Sequence, residues 1–345
     1  MSPIPRALAP LALLTLTLTL TISLPAHAGD PLGARELDKI EILLAQWREP
    51  EAYKQLDLLA KAGVSGPRFF QVRGKIRYLK GDYDGALKDL NQAISRQAAS
   101  PRLKAFQSQV VATRDQVKGY KPFPSPGGHF VIFTPAGKDE ILAPFAAQTL
   151  EAARLALKQD LGYAPSDPIR VEVYPSAESL ALVSGLTVAD INRTGTIALC
   201  HDNRLMIVTP RSLLRGYGWR DTLAHEYVHM VVSRLSHNTV PIWLHEGLAK
   251  VFERRWRQPA GERSHLAPVQ KHLLAEALRS KKLVSWRSMH PSMAKLPDQR
   301  TTTLAFAQVQ TAVDLLIQRL GLDGLGKMLA LMRGGDGDAW HALQR

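Results

Sequence analysis

Residues 225–229 read HEYVH, and residues 243–247 read WLHEG. On an α-helix, residues four apart lie about 40° apart around the axis and about 6 Å apart along it. His225 and His229 would therefore project from one face and can close on a single metal ion. Glu226 lies one position along, beside that ion but poorly placed to be a ligand. This spacing is typical of zinc sites in which the Glu acts as a general base toward water.

The residues around this motif predict two neighbouring helices. Apolar residues recur at helical spacing over residues 219–235, and residues 236–240 have the composition of a short loop. Pro241 suits the first turn of a second helix that extends to about Arg254. A loop this short makes the two helices antiparallel neighbours.

Glu246 on the second helix is the candidate third ligand. His229 would lie about 10 Å before the end of the first helix and Glu246 about 7 Å into the second. The side chains of the two histidines and Glu246 can therefore meet at a similar height. Three protein ligands leave one position open for water, as catalytic zinc sites do. The alternative is a coincidental motif on a core helix, with Glu246 as a surface carboxylate.

The motif resembles that of a known family. An HExxH sequence, sixteen further residues and then Glu within Trp-Leu-x-Glu-Gly-x-Ala are similar to the gluzincin zinc metallopeptidases of the MA clan, including bacterial peptidase MA-like domains. The resemblance implies that Glu226 is the catalytic base and that one Zn²⁺ is held by His225, His229 and Glu246. The metzincin branch is disfavoured, because it needs Gly and His where this chain has Val232 and Leu235.

The expected fold class is α+β. Strand patterns occupy residues 129–134 and 169–174, residues 196–200 and 205–209 suggest a hairpin, and a long amphipathic helix is predicted over 140–161. The resemblance implies a gluzincin-type domain, with a small sheet above the HExxH helix and C-terminal helices, over residues 129–345. The longest apolar-periodic stretch in its C-terminal part is 303–320.

The N-terminal part predicts an all-helical module over residues 29–118. Helical patterns cover 34–47, 50–61, 68–80, 83–96 and 101–117, and the second pair resembles one tetratricopeptide (TPR) repeat. Such a TPR-like module could be a surface for a protein partner or a structural cap on the peptidase domain. Pro and Gly in 121–128 indicate a linker, placed at 119–128.

The first 28 residues resemble a secretory signal peptide. Arg6 gives a positive start, an apolar stretch follows, and Ala26-His27-Ala28 is a suitable cleavage site. We therefore expect export, to a bacterial periplasm or beyond. An uncleaved membrane anchor is the alternative, although no other stretch of the chain has the length and apolarity of a transmembrane segment.

The net charge indicates which partners suit the protein, and the cysteine count shows whether it can form a disulfide. The chain carries a net charge of +13, and removal of Arg6 with the signal leaves +12 (13 − 1). A basic exported protein will tend to associate with anionic envelope surfaces or acidic substrates, and no nucleic-acid-binding motif is present. The single Cys200 excludes an internal disulfide.

Peptide hydrolysis also needs a donor for the developing oxyanion. Leu304-Ala305-Phe306-Ala307-Gln308 resembles a segment that commonly reads Ala-Tyr-Ala-Gln in related domains, so Phe306 removes the expected hydroxyl. The substitutes offered by the sequence are Gln308, Tyr217, His237 and His290. His245 should point away from the metal by about 100° and lie beside the site or be exposed.

Three functions compete. The first is an exported zinc metallopeptidase that cleaves a peptide or protein substrate, with Glu226 as general base. The second is a zinc-binding but weakly active or inactive relative that acts as an envelope scaffold through its helical module. The third is an envelope protein in which zinc only joins two helices, which the count of three ligands disfavours.

Overall fold

The computed structural model describes residues 31–97, 100–259, 262, 265–290 and 292–334. The predicted signal peptide, 1–28, lies outside the described residues. The described chain begins with helices and continues into a five-stranded sheet with helices on both faces.

The N-terminal part forms helices where the sequence predicts them. These are α1 (Pro31–Ala45), α2 (Glu49–Lys61), α3 (Pro67–Leu79), α4 (Tyr83–Arg96) and α5 (Pro101–Gln116). Asp82 caps the start of helix α4, because its side chain accepts a hydrogen bond from the Gly85 N–H, and Ser100 caps α5 in the same way. Apolar side chains from all five helices share one core.

The sheet has the strand order β1-β2-β3-β5-β4. Its strands are β1 (Lys121–Pro124), β2 (Phe130–Thr134), β3 (Ile169–Tyr174), β4 (Ala198–His201) and β5 (Arg204–Val208). Strands β2, β3 and β5 are parallel, whereas the edge strands β1 and β4 pair antiparallel with their neighbours. Helix α6 (Leu142–Leu161) connects β2 to β3. The predicted β4–β5 hairpin is confirmed, and its turn residues Asp202 and Asn203 both have positive φ.

Part of the predicted linker is wrong, because Lys121–Pro124 is strand β1. The register pairs Lys121 with Thr134 and Phe123 with Ile132, and the next inward bond runs from the Ser125 N–H to the Phe130 carbonyl. Every second residue of such a strand points its main-chain nitrogen away from the partner strand. Pro122 and Pro124 occupy these outward positions, where a missing N–H costs no sheet hydrogen bond. A proline-rich sequence is therefore compatible with this edge strand.

The two faces of the sheet carry different layers. Apolar side chains of β2, β3 and β5 pack on one face against α6 and the helices that follow the sheet. On the other face, Tyr174, Met206 and Val208 pack with the short helices α7 (Ala177–Ser184) and α8 (Val188–Thr194).

The C-terminal helices are α9 (Trp219–Ser236), α10 (Ile242–Phe252), α11 (Pro268–Ser280) and α12 (Gln299–Leu331). His237, the residue that follows helix α9, adopts the left-handed conformation. Helix α12 contains a break at Gly321, directly after the apolar-periodic stretch that the sequence shows over residues 303–320. Among the described residues, no helix combines the length and apolar composition needed to cross a bilayer.

Candidate metal centre

Helices α9 and α10 bring the three predicted ligand residues together. The Nε2 atoms of His225 and His229 lie 3.2 Å apart. Oε2 of Glu246 lies 3.6 Å from Nε2 of His225 and 3.8 Å from Nε2 of His229. A tetrahedral zinc ion with ligand bonds of about 2.05 Å requires ligand atoms to be about 3.4 Å apart. These three atoms could therefore hold one metal ion with little movement.

The cluster is half-buried. The side chains of His225, His229 and Glu246 are 13%, 15% and 19% exposed. A purely structural cluster could be sealed completely, whereas these groups remain accessible from solvent. Burial acts to lower the pKa of His225, but hydrogen bonds to the carboxylates of Glu246 and Glu253 raise it by more. The negative charge around the imidazoles thus favours a cation at this point.

Gly247 allows the second helix to come this close to its neighbour. A Cβ atom at Gly247 would lie 2.6 Å from the Val309 carbonyl oxygen and 2.7 Å from a methyl carbon of Val313. Both contacts are too short for real Cβ atoms, so only glycine permits this packing of α10 on α12. The close approach fixes the position of the adjacent Glu246.

Glu226 lies on α9 beside the three clustered side chains and is buried. Burial raises its pKa to about 7, although the nearby His225 acts in the opposite direction. The Cys200 main chain in edge strand β4 faces this carboxylate and also acts to lower its pKa. The carboxylate therefore lies beside the edge of the sheet.

The outer nitrogen of each histidine has its own partner. Nδ1 of His225 lies 3.1 Å from Oε2 of Glu253, and the same oxygen accepts from Lys250 Nζ at 2.9 Å. A carboxylate on the outer nitrogen fixes the tautomer that presents Nε2 to the metal position. The sequence did not indicate this role for Glu253, because the residue begins a charged run, 253–257, whose pattern equally suits a solvated helix face.

His229 is oriented by a second histidine instead. Its Nδ1 lies 2.6 Å from Nδ1 of His245, and Nε2 of His245 lies 3.2 Å from Oγ of Ser233. Burial lowers the pKa of His245 to about 4, so the ring is neutral at pH 7. The geometry then has His229 donating to His245 and His245 donating to Ser233. His245 is off the metal position, and the sequence did not indicate Ser233.

Two of the proposed oxyanion donors are engaged elsewhere. The Tyr217 hydroxyl donates to the Val208 carbonyl, and the Gln308 amide bonds to the main chain of Val284. His290 is exposed, and Phe306 lies beneath the Lys250 ammonium at 5.4 Å.

Cys200, His201 and Asp202 do not converge with the three ligand candidates. Nδ1 of His201 pairs with the Asp202 carboxylate at 3.0 Å. Cys200 instead packs partly buried against the main core. Among the described residues, the cluster of His225, His229 and Glu246 is the one group of His, Cys, Asp and Glu arranged to hold a metal.

Comparison with protein families places the cluster within a known superfamily region. The family model described as Peptidase MA superfamily matches residues 147–341, a region that contains the whole cluster. The comparison with curated proteins found no match.

Proposed function

Because the chain belongs to the Peptidase MA superfamily, we propose that it is a zinc-dependent metallopeptidase of the gluzincin type. The observation that carries the proposal is the convergence of two imidazole nitrogens and one carboxylate oxygen at separations that suit a tetrahedral ion. His225, His229 and Glu246 would hold the zinc.

The donor set fits zinc in chemistry as well as in distance. Two imidazoles and one carboxylate are a ligand set of catalytic zinc, and a third protein ligand leaves one position for water or substrate. The second nitrogens of both histidines are bonded to fixed partners, as ligating histidines require.

When bound, zinc polarises the scissile carbonyl and makes water more acidic. Glu226 would accept the proton from the attacking water and deliver it to the leaving amine as the C–N bond breaks.

Strand β4 offers the surface on which a peptide would lie. Ile197 and Val208 form a hydrogen-bonded pair, so Leu199 and His201 also point their main-chain groups toward β5. Ala198 and Cys200 then point theirs toward the free edge, and Cys200 reaches Glu226. We propose that an extended peptide pairs with this edge beside Ala198, in the manner of an added strand.

Metal removal tests the proposal. The probe is unfolded β-casein, whose extended segments can pair with a strand edge. Zinc-loaded full chain should cleave it, 1,10-phenanthroline should abolish cleavage, and added Zn²⁺ should restore it. Cleavage that is insensitive to the chelator would contradict a metal-dependent mechanism. Absence of cleavage by the zinc-loaded chain would favour the second candidate.

That second candidate is a weakly active or inactive zinc protein that acts as an envelope scaffold through its helical module. Phe306, which lacks a hydroxyl, is the residue that favours it. For either candidate we propose export and association with anionic envelope surfaces through the basic charge.

His245 provides a test of the metal site that needs no substrate. His245→Leu removes the acceptor of the His229 Nδ1–H, and we expect zinc affinity to fall about 10- to 100-fold. His245→Asn, which keeps an acceptor oxygen, should retain most of the affinity. Competition with a chromogenic chelator measures both. Equal affinities in the wild type and the Leu variant would contradict this role.

A further inference from the structure

A buried polar cluster joins the N-terminal helices to the sheet. Arg204 is the first residue of β5 and is 2% exposed. Its guanidinium donates to the Tyr83 hydroxyl at 2.8 Å and to the Tyr78 hydroxyl at 2.6 Å. Tyr83 in turn donates to Glu172 on β3 at 2.8 Å, and Glu172 lies 3.1 Å from Arg204. The helices α3 and α4 therefore hold the residue that follows the β4–β5 turn.

A second contact holds the turn itself. Arg234 on α9 donates to the side-chain oxygen of Asn203, and its Nε lies 3.7 Å from a carboxylate oxygen of Glu49 at the start of α2. The Arg234 and Glu49 side chains are 6% and 5% exposed. One buried arginine thus links the motif helix, the hairpin turn and the N-terminal helices.

Asn203, which Arg234 contacts, lies three residues after Cys200, the residue of β4 that faces the candidate base Glu226. The turn Asp202–Asn203 follows strand β4, which packs against α9, and the main chain of Cys200 within that strand faces Glu226. Strand β4 has four residues and pairs on one side only. Short edge strands open locally at low free-energy cost, so their position depends on what holds their ends.

We infer that the N-terminal helical module is a positioning part of the candidate site. Through Tyr78, Tyr83 and Glu49 it fixes the β4–β5 turn, and thereby the edge strand that packs beside Glu226 and would receive the substrate. This inference rests on the proposed function for its catalytic consequence. It predicts that loosening the turn will mobilise β4 without removing the metal ligands.

Conservative variants of the full chain test this positioning role. Asn203→Gly removes only the amide that Arg234 holds, while glycine keeps the left-handed conformation that this turn position requires. Tyr78→Phe combined with Tyr83→Phe removes the two hydroxyls on Arg204. The matched control is Arg73→Met, which breaks an ion pair with Asp89 inside the module at 2.7 Å and touches neither the hairpin nor α9.

The principal readout is amide hydrogen exchange of residues 198–201 in the zinc-loaded protein, which requires no substrate. We expect exchange in this segment to accelerate about tenfold in Asn203→Gly and in the double tyrosine variant. Exchange in strand β2 and the zinc content should stay unchanged in both. The control variant should behave like the wild type. β-Casein turnover should fall in parallel. Unchanged exchange in both variants, or equal acceleration in the control, would overturn the inference. If the wild-type protein does not cleave β-casein, the peptidase proposal fails. The exchange result would still show whether the N-terminal helices position strand β4, because that measurement needs no substrate.

Discussion

Glu226→Gln should lower β-casein turnover about a thousandfold while one zinc ion per chain stays bound. The amide has nearly the shape of the carboxylate but cannot accept the proton of the attacking water. Glu226 is not among the three clustered ligand candidates, so the metal should remain. The amide also occupies the same space beside the Cys200 main chain, so the edge strand should keep its place.

Initial rates and zinc content of the same preparation measure both parts of this prediction. Glu36→Gln on α1 is the matched control, because it makes the same chemical change in an exposed ion pair with Lys39. Turnover within a few fold of the wild type in Glu226→Gln would exclude Glu226 as the general base. Loss of zinc in this variant would instead show that Glu226 acts on the metal site.

Gly247→Ala should destabilise the protein by about 2–3 kcal/mol and weaken zinc binding. The new Cβ would meet the Val309 carbonyl oxygen at 2.6 Å. A backbone carbonyl in a packed helix cannot rotate away, so α10 must move back from α12. Because Glu246 precedes Gly247, that movement shifts the carboxylate away from the two histidines.

Urea unfolding and zinc competition measure the two consequences. Gly218→Ala is the matched control, since a Cβ at Gly218 meets nothing within 4 Å and its φ of −71° suits any residue. If Gly247→Ala had the same stability and zinc affinity as the wild type, α10 would not need its close packing on α12.

The spacing of the motif residues was sufficient to predict that α9 and α10 pack side by side. A spacing of four residues between His225 and His229 fixes a shared helix face, and the short loop after α9 fixes an antiparallel neighbour. These two constraints place Glu246 within 4 Å of both imidazoles. The helix and strand positions around them also follow from periodicity, which depends on nearby residues alone.

Contacts between distant segments could not be predicted in the same way. The pairing of Lys121–Pro124 with β2 depends on the outward direction of two prolines, which only the register reveals. The Tyr83–Arg204 hydrogen bond joins residues 121 positions apart and has no periodic signature. The partners of the histidines, Glu253 and Ser233, are polar residues whose sequence pattern equally suits a solvated helix face.

The most direct measurement is the zinc content of the purified full chain after reconstitution and removal of excess metal, beside His229→Ala and Glu246→Ala. The account predicts one zinc ion per wild-type chain, lost or greatly weakened in both variants, with folding retained by circular dichroism. Absence of stoichiometric zinc from the folded wild-type protein would contradict it. The cluster would then be a polar contact between two helices, and the peptidase proposal would fall with it.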